Sequence, residues 1–336
     1  MIRKSTASDL QPFNGLTPEV VLDAAAAVGL DPDGRLFALN SYENRVYQLH
    51  GERGILVLKF YRPARWSDAQ ILEEHEFTGE LAAAELPVAA PLHLGGETLV
   101  RYHEFRFACF PWMRGRAPEL DRPEALQLLG RSLARLHQVG ALRAFTVRAR
   151  LSIQRLGWDA RAHVLSSELL PERLTARYSS VSGALLERIT AAFAAVGEVG
   201  AIRLHGDCHL GNLLWNERGP AFVDLDDCLM GPRMQDLWMM LSGTPDEQQH
   251  QWAELLEGYR QFADFDLREL RLIEPLRGLR MLHHAAWVAH RWSDPAFPRA
   301  FPWLAEERYW EGYLQDLLEQ VEVIDDPPLL RDTGKT

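Results

Sequence analysis

Residues 205–212 read HGDCHLGN and residues 222–227 read FVDLDD, and these two stretches carry the densest chemistry of the chain. The first is a loop punctuated by glycines, in which Asp207 and Asn212 lie five residues apart. The second is an apolar strand that ends on carboxylates, beginning with Asp224. Carboxylate and amide oxygens suit Mg²⁺, which keeps several of its waters and needs few protein groups. The order and spacing therefore indicate a metal–nucleotide transferase, in which one carboxylate accepts a hydroxyl proton.

The chain after Phe110 has a mainly helical pattern. Residues 111–116, PWMRGR, form a short connector. Apolar side chains at helical spacing predict four helices, at residues 122–139, 181–197, 247–262 and 268–291. Pro275 is expected to bend the first turn of the last helix. Residues 202–225 interrupt the helices with alternating loops and short strands.

The chain before Phe110 has the pattern of a small sheet. A Thr17 cap and Pro18 at the first helical position predict a helix over 17–30, and a second helix is expected over 68–85. Strands are predicted from β-like runs at residues 35–40, 44–50, 54–61, 91–100 and 103–110. Three runs precede the second helix and two follow it, which predicts a mostly antiparallel sheet with one helix.

Together these patterns predict an α+β fold with two lobes. A β-rich lobe is expected at residues 1–110, a hinge at 111–116 and a larger, mainly helical lobe at 117–336. A cleft between such lobes is a natural ligand site.

Lys59 lies in ILVLKF, a strand that is otherwise apolar and therefore expected to be buried. Lysine is rarely buried without a partner, and the following helix offers Glu73, Glu74 and Glu76. A strand lysine that pairs with a helix glutamate and reaches the α- and β-phosphates of ATP is the arrangement of kinase folds. The alternative is a lysine at a strand edge that extends to water.

Composition narrows the function classes. The chain has 36 basic and 47 acidic residues, a formal net charge of −11. Such an acidic protein is repelled by phosphate backbones, so nucleic-acid binding is not expected. We also expect no membrane helix, which would need a run of roughly 18 apolar residues, and no signal peptide.

The cysteines point to a reducing compartment. Cys109, Cys208 and Cys228 are far apart and form no C-x-x-C pair. This spacing disfavours a disulfide scaffold or a zinc ribbon, so we expect a cytoplasmic protein.

Charge is unevenly distributed along the chain. Residues 130–165 contain seven arginines and one acid, whereas residues 304–326 contain eight acids and one arginine. These segments are interpreted either as solvated helix faces that attract each other or as a basic rim for an anionic substrate.

The chain resembles the aminoglycoside phosphotransferase/choline kinase branch of the protein-kinase-like fold. Within that branch it is similar to the stress response kinase A family of bacterial serine/threonine protein kinases. The resemblance covers nearly the whole chain. Beside the two stretches quoted first, it rests on LNSYENRVY (39–47), VLKFYRP (57–63), QILEEH (70–75), GPRMQDLW (231–238) and RWSDPAFP (291–298).

The resemblance implies ATP and Mg²⁺ as cofactors. Asp207 would be the catalytic carboxylate that orients and deprotonates the acceptor hydroxyl, and Asn212 and Asp224 would bind Mg²⁺. The residues implied to hold the nucleotide are Lys59 paired with Glu74 or Glu73, Ser41 over the phosphates, and the segment 110–113 against the adenine.

The resemblance also implies a protein substrate, with autophosphorylation as an option. The sequence leaves the oligomeric state open, and a monomer is the default expectation. Two alternatives stay open: a kinase of small molecules such as an aminoglycoside, choline or homoserine, and a nucleotide-binding regulator. The turn at 40–44 has no glycine, unlike the loop of protein kinases, which weakens substrate inference from that class. The sequence leaves the roles of Asp226 and Asp227 open, and we expect His205 and Asp236 to brace the catalytic loop.

Overall fold

Five strands near the N-terminus form a sheet in a computed structural model that describes residues 12–326, 328, 330 and 331. The first elements are α1 (Pro18–Ala27), β1 (Pro32–Leu39), β2 (Arg45–Gly51), β3 (Gly54–Phe60), α2 (Asp68–Ala83), β4 (Val100–Tyr102) and β5 (Phe105–Pro111). The sheet is antiparallel in the order β1-β2-β3-β5-β4. The predicted antiparallel sheet with one helix before its last two strands is confirmed.

Alternation along β3 decides which side chains reach the core. Leu56, Leu58 and Phe60 are buried in an apolar cluster that includes Val21 of α1. Because successive side chains of a strand point to opposite faces, Lys59 lies on the other face of the sheet. Its strand therefore presents an apolar face to α1 and a cation to the opposite side.

The predicted strand over 91–100 is wrong. Only an isolated bridge between Leu94 and Glu97 forms there, and β4 begins at Val100. Gly95 and Gly96 between the bridged residues have φ angles of 62° and 97°. Two successive residues in this left-handed region make a tight turn and interrupt the strand.

The rest of the described chain is mainly helical. Its elements are α3 (Pro123–Ala141), α4 (Asp159–Leu165), α5 (Glu172–Val196), β6 (Ile202–Leu204), β7 (Leu213–Asn216), β8 (Gly219–Phe222), β9 (Leu229–Gly231), α6 (Met234–Leu237), α7 (Pro245–Tyr259), α8 (Ile273–His290), α9 (Ala296–Ala300) and α10 (Glu307–Val323). The helices predicted over 122–139 and 247–262 are confirmed as α3 and α7. The mixed α+β class is also confirmed.

Two predicted helices differ in their start. The helix predicted over 181–197 begins at Glu172. The one predicted over 268–291 consists of a 3₁₀ segment, Leu267–Leu272, followed by α8. Pro275 lies in the first turn of α8, where a backbone N–H has no helical partner, so proline is tolerated there.

The described residues divide into two compact units. Unit 1 comprises the residues up to Glu119, Phe145–Arg148 and His209–Cys228. Unit 2 comprises Leu120–Ala144, Ala149–Cys208 and the described residues from Leu229 onward. The lobes expected at 1–110 and 117–336, with a hinge at 111–116, remain a prediction.

The acidic segment at 304–326 pairs with α5. Arg173 contacts Glu307 and Glu311 of α10, and Arg188 contacts Asp325. These arginines lie outside the basic segment 130–165, so the attraction comes from a different helix than the charge pattern indicated. Pairs this exposed contribute about 0–1 kcal/mol each.

Among the described helices, none is long and apolar enough to cross a membrane.

Helices α3 and α7 of unit 2 approach each other closely at two glycines. A Cβ atom on Gly130 would lie 2.0 Å from the carbonyl oxygen of Leu255. A Cβ atom on Gly258 would lie 2.0 Å from the carbonyl oxygen of Gln127. Backbone atoms cannot move aside as a side chain can, so both positions require glycine.

Replacing Gly130 with alanine is expected to lower the free energy of unfolding by about 1–3 kcal/mol, the usual cost of overpacking. Gly312→Ala in α10 is the matched control, because a Cβ atom there meets no atom within 4 Å. The control is expected to gain up to about 1 kcal/mol from helix propensity. Urea denaturation of both variants measures the difference, and equal midpoints would contradict the close packing.

Candidate active site

The hairpin of β7 and β8 in unit 1 places Asn212 and Asp224 at the same end of two paired strands. Leu213 pairs with Phe222, and the N–H of Val223 donates to the carbonyl oxygen of Asn212 at 3.1 Å. Asn212 ends the 3₁₀ turn that precedes β7. The short connection between the strands thus unites two residues that are twelve positions apart in the sequence.

Asp224 has a left-handed backbone, with φ 58° and ψ 65°. A residue with a side chain pays roughly 1–3 kcal/mol for such a conformation, and strain of this kind concentrates at functional sites. The carboxylate of Asp224 is 54% exposed. The backbone therefore turns this side chain to solvent at the end of a buried strand.

Lys59 is buried among three carboxylates of unit 1. Its Nζ lies 3.3 Å from Glu74 Oε1, 3.0 Å from Asp224 Oδ1 and 3.2 Å from Asp226 Oδ1. Burial alone would lower the pKa of Lys59, but these carboxylates raise it well above its ordinary value. The ammonium therefore keeps its charge inside the protein, and the alternative of a lysine extended to water does not apply.

Helix α2 separates the roles of its two neighbouring glutamates. Glu74 is buried and lies between Lys59 and Arg148, whose Nη2 is 2.8 Å from Glu74 Oε2. Glu73 instead accepts three backbone N–H groups of residues 146–148, at 2.5–3.0 Å. Of the two glutamates that the sequence left open, Glu74 is the one beside Lys59.

Asp226 is a member of the site that the sequence left undecided. It is almost fully buried, and its carboxylate contacts Lys59, Arg65 and Asn44. Burial alone would raise the pKa of Asp226, but the guanidinium of Arg65 and the ammonium of Lys59 hold it well below its usual range. Arg65 also reaches Asp227, at 2.6 Å. The sequence did not indicate the contacts of Arg65 and Asn44 with Asp226, which is 161 and 182 residues away.

The turn between β1 and β2 holds Ser41 and is tied to the site by Asn44. The Asn44 amide donates to Asp226 Oδ2 at 3.1 Å and accepts the N–H of Arg62 at 3.1 Å. Ser41 itself is half-buried in this turn. The hydrogen bonds of the Asn44 side chain thus fix the turn at residues 40–44, which has no glycine.

Asp207 lies in unit 2, in the loop that follows β6. Asp236 at the start of α6 accepts the N–H groups of His205 and Gly206, at 2.8 and 2.9 Å. Gly206 has a φ of +88°, which side chains rarely adopt. Asp236 therefore braces the loop as predicted, and His205 takes part through its backbone.

The carboxylate of Asp207 has a cationic neighbour that the sequence did not reveal. Oδ1 of Asp207 lies 2.6 Å from Nη1 of Arg280, near the middle of α8. Their side chains are 29% and 43% exposed, so the pair is open to solvent. Seventy-three residues separate the two, and no local pattern indicates the contact.

Comparison with known proteins identifies the family. Residues 36–273 match the model of the phosphotransferase enzyme family, over more than two thirds of the chain. The chain belongs to the phosphotransferase enzyme family. The family resemblance drawn from the sequence is thereby confirmed.

Named relatives of this phosphotransferase cover almost its full length. Stress response kinase A of Salmonella choleraesuis (strain SC-B67) is 43% identical over 318 residues, which are 94% of this chain and 96% of the relative. Serine/threonine protein kinase RdoA of Salmonella typhimurium (strain LT2) matches with the same values. The phosphotransferase is thus similar along nearly its whole length to proteins that are named as kinases.

Solved structures support the fold. Amicoumacin kinase hAmiN, in complex with AMP-PNP, Ca²⁺ and Ami, superimposes with a TM-score of 0.72 at 19% identity, covering 93% of this chain and 94% of that chain. The microcompartment-associated aminopropanol kinase gives a TM-score of 0.64 at 20% identity, with 90% and 99% coverage. At this level of identity the likeness shows a shared architecture and nothing about acceptors.

A buried carboxyl group bonds the helix that carries Asp236. Oε2 of Glu269 accepts the N–H of Met234, the first residue of α6, at 2.8 Å. The residue is fully buried. Burial raises the pKa of Glu269 to about 7 from 4.5. Because α6 carries Asp236, this group supports the same loop as Asp207.

Glu269→Gln is expected to remove a pH dependence of stability. Below pH 4.5 Glu269 is protonated in both states, and between pH 4.5 and 7 only the folded state holds the proton, so the wild type loses stability as pH rises. The wild type should lose about 3 kcal/mol relative to the variant across this window, at about 1.4 kcal/mol per pKa unit. Urea unfolding at several pH values measures this. Parallel stability profiles would show that Glu269 titrates normally.

Proposed function

We propose that this phosphotransferase transfers the γ-phosphoryl group of ATP to serine or threonine hydroxyls of a protein and uses Mg²⁺. The transfer is supported above all by the buried Lys59, held at 3.0–3.3 Å from Glu74, Asp224 and Asp226. The protein acceptor is supported by the name of the Salmonella typhimurium serine/threonine kinase at 43% identity. The names of the relatives also support a role in stress response.

The nucleotide would be held by residues of unit 1. Lys59 is the permanent cation for the α- and β-phosphates, and Glu74 orients it. Ser41 lies in a turn that Asn44 anchors to Asp226, and its hydroxyl would donate to a phosphate oxygen. The segment 110–113, where β5 ends, would contact the adenine.

The donor set fits a magnesium ion. Among the described residues no group of three histidine, cysteine or acidic side chains forms a metal site. Mg²⁺ needs no such group when a carboxylate, an amide oxygen and substrate phosphates share its coordination. Asp224, half exposed, and Asn212, at the same strand end, would hold it. Bound there, the ion would neutralise the charge of the transferring phosphoryl group.

Asp207 would act as the base. In the proposed step it accepts the proton of the acceptor hydroxyl while the acceptor oxygen bonds to the γ-phosphorus. The bond from that phosphorus to the β,γ-bridging oxygen breaks, and ADP leaves with the electron pair. The hydrogen bonds from His205 and Gly206 to Asp236 keep the loop of Asp207 rigid, so catalysis rests on positioning and charge.

We propose the cytoplasm as its location and a monomer as its state, with autophosphorylation as an accompanying activity. All three cysteines are buried free thiols, as is usual in a reducing compartment. Functional lobes at 1–110 and 117–336, with a hinge at 111–116, complete the proposal.

Asp207→Asn is expected to keep the fold and lower turnover by about 10²–10⁴, the usual share of a general base. The assay supplies γ-labelled ATP, Mg²⁺, a generic protein substrate and a panel of small acceptors to the wild type and the variant. Label on protein that disappears with the variant supports the proposed activity. Label on small molecules alone would replace it with a small-molecule kinase, and ATP binding without transfer would favour a regulator.

Asp224→Asn is expected to abolish productive binding of Mg·ATP, because one charged ligand of the ion is lost. We expect the thermal stabilisation by Mg·ATP to fall in the variant, while stabilisation by ATP with EDTA changes less. Asp227→Asn is the matched control, since Asp227 pairs with Arg65 three residues along the same segment. A variant with wild-type activity and stabilisation would remove Asp224 from the metal site.

A further inference from the structure

Arg280 places a positive charge directly on the carboxylate that we propose as the base. Its Nη1 lies 2.6 Å from Asp207 Oδ1, and its side chain is 43% exposed. A guanidinium this close withdraws electron density from the carboxylate and occupies one of its oxygens. An ion pair with arginine makes a carboxylate a weaker proton acceptor. The position of Arg280 therefore indicates a function other than assisting proton transfer.

The face of α8 that carries Arg280 also carries aromatic rings. His284 and Trp287 follow Arg280 at spacings of four and three residues, so all three lie on one side of the helix. Burial and the positive charge of Arg280 lower the pKa of His284, and the carboxylate of Asp207 opposes this shift. The His284 ring stacks on Trp303, with centroids 6.3 Å apart. Arg280 thus lies beside the proposed base, and the His284 and Trp287 rings follow it on the same side of the helix.

Positive charge dominates this helix. From Pro275 to His290 it has two arginines, three histidines and no acidic residue. The other arginine, Arg277, pairs with Glu274 at 3.0 Å and lies over the ring of Trp238. The charge of Arg277 is therefore compensated by Glu274 of the same helix, whereas the charge of Arg280 is compensated by Asp207, the proposed base.

The sign of this charge discriminates between acceptors. A cationic acceptor would be repelled by Arg280 at the point of transfer, whereas a carboxylate of the acceptor can replace Asp207 at the guanidinium. The net charge of the whole chain is −11, so an anionic acceptor gains nothing from the overall field and depends on this local cation. The exchange would also leave Asp207 Oδ1 to accept the hydroxyl proton.

We propose that Arg280 is a specificity-determining residue that selects serine or threonine hydroxyls flanked by acidic residues. The flanking carboxylate takes the guanidinium from Asp207, so that binding of the correct acceptor frees the base. This inference rests on the proposed protein kinase activity and names its substrate class.

The test compares three series of serine peptides with the same length, flanked by Asp and Glu, by Ala, or by Lys and Arg. The wild type is expected to prefer the acidic series over the neutral one by about tenfold or more in kcat/KM, as a charge-assisted contact allows. Arg280→Gln should lose this preference and Arg280→Glu should invert it. Arg280→Lys keeps a cation and should retain part of it. Arg277→Gln, one turn away on the same helix, is the matched control and should behave as the wild type.

ATP hydrolysis without peptide distinguishes two roles of Arg280. In one it selects the acceptor, and in the other it only positions Asp207. A residue that merely positions Asp207 would lower kcat/KM equally for all three series and for water. We expect Arg280→Gln to lower kcat/KM for the acidic series relative to the neutral series by a larger factor than it changes ATP hydrolysis. Equal loss for every acceptor, or an unchanged preference in Arg280→Glu, would overturn the proposal. A wild type that labels no peptide and no protein would overturn the proposed activity instead.

Discussion

The buried ammonium of Lys59 is the constraint on which the rest of unit 1 depends. Removing such an ion from water costs several kcal/mol, which only close partners offset. Its partners come from α2 and from the segment after β8, at 3.0–3.3 Å. The sheet, the helix and the hairpin must therefore assemble together before Lys59 can be buried. Loss of one of these partners would weaken the compensation of the Lys59 charge inside the protein.

Further arginines determine which carboxylate remains available. Arg148 forms an ion pair with Glu74, and Arg65 forms one with Asp226. The side chains of these two carboxylates, Glu74 and Asp226, are each only 3% exposed. Asp224 differs, because its side chain is 54% exposed and its backbone is left-handed. The ion pairs around Lys59 thus fix two carboxylates in structural roles. The third carboxylate, that of Asp224, stays exposed at the surface, where it could coordinate a metal ion.

Unit 2 holds its loop by a different device. Asp236 accepts two consecutive backbone N–H groups from residues 205 and 206, and His137 Nε2 lies 3.4 Å from the same carboxylate. Burial lowers the pKa of His137 despite the neighbouring carboxylate. The neutral imidazole of His137 and the fully buried carboxylate of Asp236 thus hold the loop in place, and Asp207 takes no part in these contacts. Asp207 in the same loop forms an ion pair with Arg280.

The sequence by itself determined the α+β class, the hairpin of β2 and β3, and the residues Lys59, Asp207, Asn212 and Asp224 as candidates. These follow from local period, turn chemistry and short motifs, which depend only on neighbouring residues. Only the tertiary structure decided that Glu74 and not Glu73 meets Lys59, since both lie in the same helix turn and differ in direction. It also decided the roles of Asn44, Arg65, Arg148 and Arg280. Their carboxylate partners Asp226, Glu74 and Asp207 are between 73 and 182 residues away, a separation at which sequence spacing carries no geometric information.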